Sequence, residues 1–206
     1  MENMTNNNLI LKLVIIQSLL ISVSNYLVHF KFAVFGLPMT LAVWCTPLFM
    51  VITDLMTRMQ GKELARRVLL LTLVPGMIGT LIVGFLYGGD TVGILRITVA
   101  SGLCYLLPMM LDVSIFAWLR ERVSAWYVAP GVSGVITSIV ITYMFWGLAF
   151  AGGADPYLAD NWYIIATNQI LVKCLLNLVI LVPMYGVLLN FLQKRIASAE
   201  ELAETQ

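Results

Sequence analysis

Six stretches of this sequence stay apolar long enough to cross a lipid bilayer, and that restricts the fold more than any other feature. A helix needs about 20 such residues to span a hydrocarbon core of about 30 Å. The stretches run over about 9–29, 34–56, 68–88, 94–118, 129–151 and 163–192. In lipid, every backbone N–H and C=O must be paired inside the protein, and a helix achieves this within a single segment. The expected fold is therefore all-α: a polytopic membrane protein with six transmembrane helices, forming one domain over 1–206. Composition agrees, since 11% of the residues are charged against about 25% in a soluble domain. Turn and polar signals separate the spans: "KFAVFG", "TRMQGKELARR", "YGGDT", "RERVSAW" and "GGADPYLADN".

The basic residues alternate with the spans. Arg58, Lys62, Arg66 and Arg67 follow the second, Arg120 and Arg122 the fourth, and Lys194 and Arg195 the sixth. The opposite loops hold Lys31, Asp90, Asp155 and Asp160. The excess of Lys and Arg marks the cytoplasmic side, so both termini are expected in the cytoplasm and the chain in the cytoplasmic (inner) membrane, multi-pass. "MENMTNNNLILK" has no basic n-region and no cleavage site follows it, so the first apolar run is expected to be a retained span. A formal net charge of +1 points to no nucleic-acid partner. Cys45, Cys104 and Cys174 each lie in an apolar run and are expected to act as small buried hydrophobes. His29 is the sole histidine, which leaves no His/Cys metal site and implies no cofactor.

Against this apolar background, polar groups at membrane depth carry the information. Lys173 lies about ten residues, or about 15 Å, into the sixth span and so near the midplane. A lysine there costs about 2.5–3.5 kcal/mol on insertion scales. Gln169, Lys173 and Asn177 recur every four residues and share one helical face, which must meet protein or water. Ser18, Ser22, Asn25 and His29 form a similar stripe in the first span. Asp54 lies near the end of the second span, Arg96 and Asp112 lie in the fourth, and Ser133, Thr137, Ser138 and Thr142 lie in the fifth. Each has a structural reading beside the functional one. Asp54 and Arg58 are placed for a local i, i+4 ion pair. Arg96 can snorkel outward. Serines and threonines can bond their own backbone. Asp112 and Lys173 resist such readings best. Opposite charges on two helices suggest mutual neutralisation, either across a polar cavity or in an ion pair that only fixes packing.

No phosphate-binding Gly-x-x-x-x-Gly-Lys-Ser/Thr loop, Gly-x-Ser-x-Gly or His-Glu-x-x-His occurs, so no enzyme class is indicated. "LVPGMIG" and "LVPMYGV", in the third and sixth spans, look alike and hint at a 3+3 repeat of inverted halves. Prolines kinking two unrelated helices is the alternative.

"SNYLV" (24–28), "ITDLMTRMQGKELARRV" (52–68), "LDVSIFAWLR" (111–120) and "VPMYGVLLNFLQKR" (182–195) resemble the bacterial queuosine precursor transporter family, also called the vitamin uptake transporter family. The similarity spans nearly the whole chain. It implies import of 7-cyano-7-deazaguanine or 7-aminomethyl-7-deazaguanine, with Asn25, Asp54, Arg96, Asp112 and Lys173 at polar positions of the family. Members usually carry Gly-Gln ahead of Leu-Asp-Val, an Asn-x-x-Asp pair early in the fifth span, and an aspartate four residues before the lysine of the sixth. Pro108 and Met109, Ser138 and Ile141, and Gln169 stand there in this chain.

A deazaguanine presents adjacent N–H donors that a carboxylate accepts, a carbonyl that an amide or cation answers, and a flat face that stacks on aromatics. The expected substrate-binding residues are Asn25, Asp54, Arg96, Asp112, Gln169, Lys173 and Asn177, with Trp44, Tyr143 and Trp146 as stackers. The leading expectation is a transporter for a small planar heterocycle, in contact with lipid and solute. The rivals are a capture subunit of an ATP-driven vitamin importer and a structural subunit without a ligand.

Overall fold

The computed structural model describes residues 2–28, 30–34, 37–88, 90–153 and 156–204. His29 and Asp155 lie outside the described residues. Six helical stretches are long and apolar enough to cross a membrane. Helix α1 covers Glu2–Leu27, α2 Cys45–Gln60, α3 Lys62–Leu86, α4 Thr91–Arg122 and α5 Val128–Phe150. The sixth stretch is α6 (Pro156–Leu176) and α7 (Val182–Glu204), joined by a π-helical turn over Asn177–Leu181.

Local chemistry sets the breaks. Between α2 and α3 the chain reverses at Gly61, whose φ of 86° is a left-handed conformation that a side chain would strain. Asp90 caps α4, its carboxylate accepting from the Gly93 backbone N–H at 2.8 Å. Pro183 explains the π turn. It has no N–H to donate, and its ring would strike the carbonyl four residues back, so the helix widens there. Pro75, in the similar "LVPGMIG", sits inside the unbroken α3. The two look-alike stretches therefore adopt different backbones.

One element was not anticipated. Strands β1 (Lys31–Val34) and β2 (Leu37–Thr40) form an antiparallel hairpin, with Lys31 opposite Thr40. A 3-10 turn over Leu41–Trp44 then leads into α2. The hairpin takes residues that hydropathy assigns to the start of the second span. A short apolar run does not distinguish strand from helix by periodicity.

Helix α2 occupies the centre. It touches α1, α3, α4, α5, α7 and the π turn, and it has the largest buried share of the six spans. Around it α1 packs on α3, α3 on α4, α4 on α5 and α5 on α6. The apolar core of α2, α3, α4 and α7 includes Met50, Met56, Leu69, Met109, Phe116 and Tyr185. Leu11, Ile15, Leu19 and Val23 are exposed along α1, as are Leu95, Val99, Leu103 and Leu107 along α4. The four-residue spacing puts each set on one helical face, and that face is the one a bilayer covers.

Candidate functional site

Helix α2 brings Asp54 against Asp112 of α4. Both are fully withdrawn from solvent, at 1% and 0% exposure, and the two carboxyl groups face each other within hydrogen-bonding reach. Asp112 Oδ1 accepts from Thr137 Oγ1 of α5 at 3.1 Å. Ser133, one turn earlier on α5, faces the same carboxyl. The expected pairing of Asp54 with Arg58 does not form; Arg58 Nη1 instead donates to Tyr185 Oη at 3.3 Å. Arg58 is the more exposed of the two and reaches the phenol of α7 at the edge of the core.

Among the described residues Lys173 forms no ion pair with Asp112, so the alternative of a direct pair that only fixes packing is not what forms. Its ammonium donates to Thr142 Oγ1 of α5 at 3.0 Å and faces Cys104 of α4. The reason is geometric. Asp112 and Lys173 each reach the nearest hydroxyl of α5. Thr137 and Thr142 are five residues, about 7.5 Å, apart along that helix. Ser133, Thr137, Ser138 and Thr142, all buried, thus form a hydroxyl ladder between a carboxyl end and an ammonium end. The two charges are each tied to α5 and not to each other.

With both carboxyls ionised, several groups here form no hydrogen bond among the described residues. They are both oxygens of Asp54, Asp112 Oδ2, Ser133 Oγ, Ser138 Oγ and both amide atoms of Asn177. Each buried polar group left unpaired costs about 1–3 kcal/mol, so a fold that only needed packing would not gather them. Asn177 opens the π turn, a form of helix common at functional sites. Beside it runs a shallow cleft lined by Val43, Thr46, Met50, Ser138, Lys173 and Asn177 among others. It is too narrow for a water molecule. A solute enters only when helices part, so this conformation is closed at the centre.

The other expected site residues lie elsewhere. Asn25 Nδ2 donates to Thr80 Oγ1 at 2.7 Å and its Oδ1 accepts from Ser101, in a separate polar patch between α1, α3 and α4. Arg96 is a helix clamp, with Nε donating to the Leu148 carbonyl at 2.8 Å and Nη2 to the Ala151 carbonyl at the end of α5. Trp44 is 48% exposed on the 3-10 turn, and Tyr143, at 39%, bonds Thr167 at 2.9 Å. Gln169 is buried one turn beyond Lys173 and accepts from Trp146 Nε1 at 3.1 Å. Trp146 therefore joins the same group of residues. Ser18 and Ser22 bond carbonyls of their own helix.

A second buried network escaped the sequence reading. Gln17 of α1, 0% exposed, receives the Tyr105 hydroxyl of α4 and donates to Thr53 of α2 at 3.4 Å. Gln17 precedes Ser18 directly and lies on the face beside the serine stripe. The buried glutamine was the available signal.

Two variants separate site from scaffold. Gly134 packs on Asn177; a Cβ there would stand 2.0 Å from Asn177 Nδ2. Gly134→Ala is expected to push the amide out of the cleft and lower uptake about tenfold, the equivalent of about 1.4 kcal/mol, with normal membrane insertion on a blot. Arg96→Ala removes two charge-assisted bonds, worth about 1.5–3 kcal/mol each. It should lower the melting temperature of the purified protein while leaving solute affinity unchanged.

Six spans around a closed polar centre define a multi-pass membrane transporter of a small solute. A family model described as "Putative vitamin uptake transporter" matches residues 40–188, and the chain belongs to that family. The chain is 33% identical over 199 residues to the "Queuosine precursor transporter" of Escherichia coli (strain K12), covering 91% of this chain and 90% of that protein. It is 28% identical over 200 residues to the "Probable queuosine precursor transporter" of Haemophilus influenzae, covering 86% and 85%. Both relatives are named as transporters, not as enzymes or capture subunits. No solved structure matches the chain.

Proposed function

We propose that this chain imports a queuosine precursor, 7-cyano-7-deazaguanine or 7-aminomethyl-7-deazaguanine, across the cytoplasmic membrane. The observation that carries the reading is the cluster of unpartnered buried atoms on Asp54, Asp112, Ser133, Ser138 and Asn177 beside Lys173. A deazaguanine supplies what these groups lack. Its adjacent N–H donors suit a carboxylate, and its carbonyl suits the Asn177 amide or the Lys173 ammonium. Gln169, one turn from Lys173 and bonded to Trp146, adds a further amide beside these groups. The names of the two relatives support the choice of solute.

Transport follows from alternate opening of the closed centre to either side. The basic residues around the α2–α3 turn, at the end of α4 and in the second half of α7 favour placing that side and both termini in the cytoplasm. A reporter fused at the C-terminus, active only in the cytoplasm, tests the orientation. The test of the solute is uptake of labelled 7-deazaguanines, scored as restored queuosine in tRNA, in a strain lacking both precursor synthesis and its own importer. Restoration only with this chain present is the expected result. Failure with both precursors, with the protein inserted, would remove the assignment.

A further inference from the structure

The closed centre joins α2 to α4 through two acidic groups, and acids do not ordinarily adhere. Asp54 and Asp112 are buried to 1% and 0% exposure and lie within hydrogen-bonding reach of each other. An ionised carboxylate only accepts, so two of them have no hydrogen to share. With both ionised, Asp54 Oδ1 and Oδ2 and Asp112 Oδ2 have no donor at all. Two charges at that separation in a dry interior would force the helices apart.

Neighbouring groups do not compensate. From α5 come the hydroxyls of Thr137, which donates to Asp112 Oδ1 at 3.1 Å, and of buried Ser133, otherwise unpartnered and facing the same carboxyl. From α7 comes the neutral phenol of Tyr185, which faces Asp54. Arg58 of α2 is engaged by that phenol at 3.3 Å, and Arg120 of α4 likewise faces Tyr185. Lys173 of α6 is held by Thr142. Gln17 of α1 is bonded to Thr53 and Tyr105. None of these cations bonds either carboxyl.

We propose that Asp54 and Asp112 form a proton-binding site, sharing one proton in an acid–carboxylate hydrogen bond that holds α2 to α4 in the closed conformation. One carboxyl donates, the other accepts, and Thr137 and Ser133 orient Asp112. The pair then carries one negative charge in place of two. When α2 and α4 part, the shared proton becomes exchangeable with the solution that the centre faces. Opening and protonation are thereby linked at the same groups that the solute uses. The proposal deepens that site but does not depend on which solute it takes.

The test is infrared spectroscopy of the purified full-length chain in lipid, with no solute added. At neutral pH the wild type should show the carbonyl stretch of a protonated carboxylic acid, fading as pH rises. Asp54→Asn and Asp112→Asn should each abolish it, because an amide donates to the remaining carboxylate and the proton is no longer needed. Melting temperature provides a second measure. The native state holds a proton that is lost at high pH, so wild-type stability should fall as pH rises, and Asp54→Asn should flatten that fall. Absence of the band in the wild type would overturn the proposal. So would its loss in one variant only, because the proton would then belong to a lone acid. Failure of uptake with the band present would remove the assigned solute and leave the proton site standing.

Discussion

Asp112→Ala is expected to reduce uptake of labelled 7-cyano-7-deazaguanine by about 100-fold, the equivalent of about 3 kcal/mol for a lost charge-assisted contact. Asp112 touches three elements at once: its own helix α4, Asp54 of α2 and Thr137 of α5. Truncation removes an acceptor for the solute and leaves Asp54 and Thr137 unpaired. Since the alanine also costs stability, quantitative blotting of membranes must accompany the assay. Asp112→Asn keeps the shape and an oxygen for Thr137, and should insert as the wild type does while still transporting poorly. Tyr143→Phe is the matched control. Its hydroxyl bonds exposed Thr167, away from the closed centre, and uptake should be unchanged. Wild-type uptake in both Asp112 variants would place the solute elsewhere, with the Asn25–Thr80–Ser101 patch the next place to look.

What could be read from the sequence divides along physical lines. The spans were legible because a bilayer imposes length and apolarity on each segment separately. Asp112 and Lys173 stood out for the same reason, as charges at a depth where insertion is expensive. Their partners were not legible. Periodicity shows which residues share a helical face, but not which neighbour that face meets. Asp112 and Lys173 each bond a different hydroxyl of α5, Thr137 and Thr142, which spacing alone does not indicate. Arg96 illustrates the same limit, since its acceptors are backbone carbonyls, which sequence never advertises. Trp44 and Tyr143 suit stacking by residue type alone, and both lie exposed. The contact between Asp54 and Asp112 was the least visible, because like charges on separate spans give no reason to expect them together. The π turn was half legible: Pro183 announced a disturbance, but not that Asn177 would open it.

Lys173→Met should make the protein more stable and the transporter worse. Among the described residues Lys173 holds its place with one hydrogen bond, to Thr142 at 3.0 Å, and no ion pair. The penalty for a lysine at membrane depth is about 2.5–3.5 kcal/mol, while a bond of this kind returns about 1.5–3 kcal/mol. Methionine keeps most of the length and flexibility of the side chain and removes the charge. A net gain of about 1 kcal/mol corresponds to a rise of about 2–4 °C in melting temperature for a chain of this size. Uptake should fall at least about tenfold if, as proposed, the ammonium answers the carbonyl of the solute. The combination is diagnostic. A lysine kept for packing would lower stability when removed, and its loss would reduce uptake only as far as it reduced the amount of folded protein. Greater stability with lost uptake is the signature of a charge retained for function. A lower melting temperature with normal uptake per folded molecule would return Lys173 to the scaffold, leaving the carboxyls, Asn177 and the serines of α5 to bind the solute without it.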